Sequence, residues 1–99
     1  MPFDDQLEQI RPLVHEIADR FYRLEFYQAL QGLPQLLEMS QQIVTNYQQN
    51  HPQTNQVEQF FTLMDIAYTA MNKKDYILLA DLLKYEWLDH LILLQDKQA

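Results

Sequence analysis

Apolar residues recur along this chain at helical spacing. In a first segment from about Asp4 to Leu24, the residues Leu7, Ile10, Val14, Ile17, Phe21 and Leu24 step by three and four, which is one face of an α-helix. Asp4 and Asp5 fall in its first turn, where acids complement the helix dipole. Pro12 lacks a backbone donor and crowds the turn before it. It predicts a kink, or a first turn separated from a helix beginning near Arg11. A second segment, about Phe26 to Gln49, carries Leu30, Leu33, Leu37, Ser40, Val44 and Tyr47 at the same steps. Tyr27, Leu30 and Leu33 already keep the period. One longer helix bent at Gly32 to Pro34 is therefore expected, in preference to a helix that starts near Leu33.

The polar run Asn50-His51-Pro52-Gln53-Thr54-Asn55 reads as a loop between two halves of nearly equal length. Thr54 or Asn55 is positioned to cap the next helix, and Glu58 lies three residues after Asn55. That third segment, about Asn55 to Asn72, has Val57, Phe60, Phe61, Met64, Ala67, Tyr68 and Met71 as its apolar face. Asn72-Lys73-Lys74-Asp75 then forms a turn, with lysines suited to a helix C-terminus and Asp75 to an N-cap. The fourth segment, about Tyr76 to Gln95, is rich in leucine and adds Tyr85 and Trp87.

The halves also echo each other. A shift of about 49 residues lays Ile17 on Ile66, Ala18 on Ala67, Tyr27 on Tyr76, Leu30 on Leu79, Leu33 on Leu82 and Ile43 on Ile92. It also matches Glu25-Phe26 with Lys74-Asp75. Internal duplication and shared helical periodicity both account for this. The predicted fold is all-α: an antiparallel four-helix bundle made of two αα-hairpins, residues 4–49 and 56–95, joined by the loop 50–55.

Composition supports that reading. The chain has 99 residues, enough for one core, with one glycine and four prolines. So few breakers suit long helices better than many short strands. There is no cysteine, which removes thiol catalysis, zinc-thiolate sites and iron–sulfur clusters and favours a reducing compartment. The start Met1-Pro2-Phe3-Asp4-Asp5 lacks the regions of a signal peptide. Asp81, Lys84, Glu86, Asp89 and His90 interrupt the apolar stretch Tyr76 to Leu94, so no membrane span is expected. A cytoplasmic location follows as the expectation. The net charge of −7 disfavours nucleic acid and anionic membranes as partners and suits a basic one.

Candidate chemistry is sparse. His15-Glu16-Ile17-Ala18-Asp19 resembles the zinc-protease pattern H-E-x-x-H with the second imidazole replaced, and no third ligand is evident. Asp4, Asp5 and Glu8 are explained by the helix dipole. Glu86, Asp89 and His90 share one turn, but a di-metal bundle needs Glu-x-x-His, and here His90 comes one residue too late. The third helix offers only Glu58 and Asp65. Ser40, the one serine, has no histidine near it, and Gly32, the one glycine, rules out a glycine-rich phosphate loop. No metal, cofactor or catalytic residue is assigned. The many glutamines are read as solvated helix surface.

The fourth segment is apolar around more than one face, more than a four-helix bundle covers. Ile77, Tyr85, Trp87, Leu88 and Leu91 are the candidate interface, because aromatic anchors among apolar neighbours are what protein interfaces use. The alternative leaves Tyr85 and Trp87 half exposed at the bundle edge with no partner.

Two stretches carry a family resemblance: Asn72 to Glu86 (NKKDYILLADLLKYE) and Tyr27 to Leu37 (YQALQGLPQLL). They resemble a family of small uncharacterised helical proteins of Gram-positive bacteria. The resemblance implies a bacterial cytoplasmic helical protein and carries over no activity and no catalytic residue. The hairpins are also loosely like tetratricopeptide pairs, whose period of roughly 34 residues is too short to fit.

The expected function is a non-enzymatic protein–protein interaction module, adaptor or chaperone-like, that self-associates as a homodimer. One alternative is a small metal- or ligand-binding enzyme, which requires His15, Glu16, Asp19, Glu86 and His90 to converge in space. Another is an acidic antitoxin or immunity-type protein that neutralises a basic partner.

Overall fold

The apolar stripes fold as helices with little interruption. A computed structural model of the chain describes residues 2–51 and 55–94. Helix α1 (Pro2–Tyr22) continues through Pro12, and α2 (Phe26–Asn50) continues through both Gly32 and Pro34. The break near Arg11 therefore does not form. Both prolines are exposed, so the hydrogen bond each forgoes is lost on the solvent side of its helix, where it costs least. The sole glycine serves packing. A Cβ on Gly32 would lie 3.2 Å from Ile17 Cγ1, so its absence lets α1 and α2 approach closely.

Helix α3 (Asn55–Asn72) has the expected limits, and α2 extends one residue past its expected end, to Asn50. Of the two proposed caps, Thr54 lies outside the described residues and Asn55 is the first helical residue of α3. Asp75 does cap the next helix, its carboxylate accepting from the Leu78 amide at 3.2 Å. That helix has three parts: α4 (Tyr76–Leu82), a π turn (Leu83–Trp87) and α5 (Leu88–Leu93).

One tight turn joins the helices of each hairpin, and the two turns share one geometry. The Leu24 amide donates to the Phe21 carbonyl and the Glu25 amide to the Arg20 carbonyl; Lys74 to Met71 and Asp75 to Ala70 repeat this 50 residues later. The equivalence of the turns thus lies at 50, from Glu25 to Asp75, and not at the 49 read from sequence. Leu24 (φ 64°) and Lys74 (φ 58°) hold the left-handed position that glycine usually fills. A side chain there costs about 1 kcal/mol or more. Lys74→Gly is therefore expected to raise stability by roughly 0.5 kcal/mol after the extra backbone entropy of glycine, read as a higher urea midpoint. An unchanged or lower midpoint would contradict the strain.

The helices pack as an up-and-down bundle, with no strand among the described residues. Helix α1 lies along both α2 and the fourth helix, and α3 packs on the fourth helix. Fully buried Ile10, Val14, Phe21, Leu36, Phe60, Leu83, Trp87 and Leu91 fill the centre. Near the tight turns Phe21, Phe26 and Tyr76 cluster, with Tyr76 5.5 Å from Phe21 and 4.7 Å from Phe26 between ring centroids, and this ties the two hairpins together. On the fourth side the backbones of α2 and α3 lie further apart and the two helices meet through side chains.

Candidate functional site

The π turn decides which side of the fourth helix faces the core. In an α-helix each residue advances by about 100°. Regular winding from Leu79 and Leu83 would point Glu86 and His90 inward and Leu88 to solvent. A π turn takes one extra residue, which rotates everything after it back by about one residue's angle. Trp87, Leu88, Leu91 and Leu94 then fall inside, and Glu86 and Asp89 fall outside.

This corrects the candidate interface. Trp87 and Leu91 are completely buried and Leu88 nearly so, each inside its own chain, and none of the three presents a surface to a partner. Ile77 and Tyr85 are exposed, at 48% and 62%. Trp87 is edge-on to Phe60 at 5.1 Å, and its indole Nε1 donates to Ser40 Oγ at 2.9 Å. Ser40 Oγ in turn donates to the Leu36 carbonyl at 2.8 Å. The lone serine on the apolar stripe of α2 is thus the polar partner of the lone tryptophan, in a fully buried relay. Ser40→Ala would leave the indole N–H without an acceptor and is expected to cost about 1–3 kcal/mol in urea unfolding. In a Trp87→Phe background, which has no such donor, the same change should cost much less. Equal costs in both backgrounds would refute the pairing.

Among the described residues the carboxylates and histidines do not assemble. His15, Glu16 and Asp19 are exposed on α1, where Arg20 pairs with Glu16 at 3.1 Å and with Glu25 at 3.5 Å. His90 Nδ1 lies 2.9 Å from the carbonyl oxygen of Glu86, its own helix neighbour. Among the described residues no three His, Asp or Glu side chains converge in a metal-holding group.

One polar cluster does bridge the hairpins. The Tyr22 hydroxyl donates to Asp81 Oδ1, and Lys84 Nζ sits 5.5 Å from the Tyr22 ring and 5.3 Å from the Tyr85 ring. Burial, and then the Asp81 carboxylate, push the Tyr22 phenol up to about 12. The folded chain therefore holds this proton more tightly than the unfolded chain, whose phenol titrates near 10.0. The resulting stabilisation is complete below the unfolded value and is lost as pH rises from there through the folded value. Tyr22→Phe should remove this part of the alkaline decline, seen by comparing urea midpoints at about pH 8 and about pH 11. Parallel declines in both proteins would contradict it.

The α2–α3 side of the bundle is the remaining feature. Leu33 and Leu37 of α2 face Ala67, Tyr68 and Met71 of α3 across a seam, with Leu79, Leu83 and Trp87 beneath. The enclosed space is about 10 Å³, room for one water at most, and Leu33, Ala67, Leu79, Leu83 and Trp87 are all buried, so the seam is closed by side chains and is not a ligand cavity. Tyr68, on its α3 edge, is 41% exposed; Phe61, two turns earlier on the same flank of α3, is 39% exposed, and Leu30, two turns before Leu37 on α2, is half-buried. The sequence pattern put Phe61 and Tyr68 in the core face of α3. Phe60 and Phe61 are adjacent, about 100° apart, so only one of them can point inward, and Phe60 does. A separate depression of about 650 Å³ beside α2 is lined by amide side chains such as Gln6, Gln41, Gln42 and Asn46, with Glu38 and Thr45.

In comparison with known proteins, residues 3–97 match the family model of a domain of unknown function, DUF8042. No curated protein and no solved structure matches the chain. No helix among the described residues is long and apolar enough to cross a membrane.

Proposed function

The chain belongs to the DUF8042 family, and we propose that it is a non-catalytic protein-binding module that docks its partner on the α2–α3 seam. One observation carries this reading. The floor of the α2–α3 seam is buried by the chain itself, but two large aromatic side chains of α3, Phe61 and Tyr68, stay exposed, with Leu30, Leu37 and Met71 only partly buried. With Trp87, Leu88 and Leu91 buried, pairing through the fourth helix loses three of its five residues, and the seam takes its place as the docking surface. Adaptor, chaperone-like and immunity-type roles, in a bacterial cytoplasm, are forms of this same reading.

The test places a photoreactive amino acid at position 68, on the seam, and separately at position 16, on the exposed side of α1. Crosslinking in cells should give a discrete protein adduct from position 68 and none from position 16. Light scattering over a concentration series distinguishes a second copy from a different protein. No adduct at position 68, in a chain that stays at its monomer mass of 11.9 kDa, would sink the proposal.

A further inference from the structure

We infer that the end of the bundle bearing the two tight turns docks on an anionic lipid bilayer, through a surface separate from the α2–α3 side and independent of the protein-binding reading above. The first observation is strain without burial. Leu24 holds the left-handed position of its turn at φ 64°, where glycine is relaxed, yet its side chain is 67% exposed. The fold gains little from a leucine there, and a strained residue that faces solvent points to a demand from outside the fold. Its counterpart in the second turn, Lys74 at φ 58°, is exposed too.

Leu24 does not stand alone. The ring centroids of Phe26 and Tyr76 lie 4.7 Å apart, so both turns occupy one end of the bundle, with these half-buried rings between them. Tyr27 and Ile77 follow the two rings at equivalent positions, and both are exposed, Tyr27 at 72%. Side chains in the first turn of a helix lean towards its start, which here is the end of the bundle. Three large apolar side chains thus project at this end beside an aromatic centre.

Charge names the surface that receives them. Arg23, Lys73 and Lys74 are exposed in the same turns, and none of them is in an ion pair among the described residues. The nearest acids are mostly engaged. Glu16 and Glu25 face Arg20, Asp75 accepts from the Leu78 amide and Asp81 from the Tyr22 hydroxyl, which leaves Asp19 one turn below Arg23. Asp65 lies about 10 Å along its helix from the turns, and Glu38, Glu58, Glu86 and Asp89 at least about 15 Å, all beyond the screening length of about 8 Å at physiological salt. The net charge of −7 disfavours anionic membranes for the molecule as a whole, but it does not decide for this end.

Size favours a bilayer over a protein. The bundle extends 43 × 24 × 19 Å, so its end has a cross-section of about 460 Å², little more than half of the roughly 800 Å² that each side of a stable protein interface buries. A bilayer needs no such area. Leucine and isoleucine enter the acyl boundary, tyrosine suits the headgroup level, and the cations meet the lipid phosphates.

The test is co-sedimentation of the full chain with phosphatidylcholine vesicles, with and without about one third phosphatidylglycerol. The native chain should partition at least about tenfold more strongly onto the anionic vesicles, and raising the salt from about 0.05 M to about 0.5 M should release most of it. Leu24→Gly/Ile77→Gln should lower that partitioning by about tenfold. Leu24→Gly also relaxes the turn, so binding falls without loss of the fold, which the urea midpoint checks. Arg23→Gln/Lys73→Gln should lower the partitioning by a similar factor. Leu93→Gln, also at an exposed leucine but about 25 Å along the fourth helix from the turns, should change nothing. Absence of partitioning at low salt would overturn the inference, and a protein adduct in cells from a photoreactive residue at position 24 would then assign this end to a protein partner. Equal partitioning onto both kinds of vesicle would overturn the anionic surface. Partitioning unchanged in Leu24→Gly/Ile77→Gln would overturn the docking end.

Discussion

Trp87→Ala is expected to lower the unfolding free energy by about 3–5 kcal/mol, a large share of the roughly 5–15 kcal/mol that holds a domain together. The side chain is fully buried, meets Phe60 edge-on and spends its one donor on Ser40. Truncation removes the ring from the centre of the core, opens a cavity and leaves α2 and the fourth helix without their shared polar link. Tyr85→Ala, two residues earlier and 62% exposed, should change stability by no more than about 0.5 kcal/mol. Urea unfolding followed by far-UV circular dichroism reads both. Comparable losses would mean that the π turn does not turn Trp87 inward and Tyr85 outward.

The second large effect is a contrast between two deletions. Removing exposed Glu86 takes the extra residue out of the π turn. Leu83 and Trp87 then follow at ordinary α-helical spacing, and Leu88, Leu91 and Leu94 keep their inward direction. The variant should fold, with stability within about 1 kcal/mol of the parent. Removing exposed Gln41 from α2 compensates nothing. It swings everything beyond it by about 100°, turns Ile43 and Val44 out of the core and brings polar neighbours in. No cooperative thermal transition should survive. If the Glu86 deletion were as damaging as the Gln41 deletion, the π turn would be structurally required and not a single tolerated insertion.

That contrast also explains what the sequence could and could not disclose. Stripes such as Leu7, Ile10, Val14, Ile17 and Phe21 announce their helix because every step is three or four and all five residues end up buried. The limits of α3 and the cap at Asp75 were legible because local chemistry sets them, in the polar turn and in a carboxylate three residues before the amide it accepts from. The phase of the fourth helix was not, because one extra residue in a leucine-rich stretch leaves composition unchanged. A trace of it does exist. Uninterrupted winding would bury Glu86 and His90, a clash of polarity with position that a one-residue slip removes. The pairing of Ser40 with Trp87 has no local signal, since 47 residues separate them. The exposure of Phe61 and Tyr68 escaped notice for a related reason: the period of α3 shows which residues are apolar, but not which flank of that broad apolar face turns inward, and the core takes Phe60 and Ala67 in place of their neighbours Phe61 and Tyr68.

The two left-handed turns bear on how the chain finds this structure. Each closes a helix pair through hydrogen bonds that span no more than five residues, so either hairpin can nucleate from neighbours in sequence at little loop-closure cost. Joining the halves is a different event. It brings together partners such as Tyr22 and Asp81, which are 59 residues apart, and it completes the aromatic cluster around Tyr76. The kinetic barrier should therefore lie in the docking of two preformed hairpins, with the hairpin turns already native-like at the summit and the relay between Trp87 and Ser40 closing on the descent.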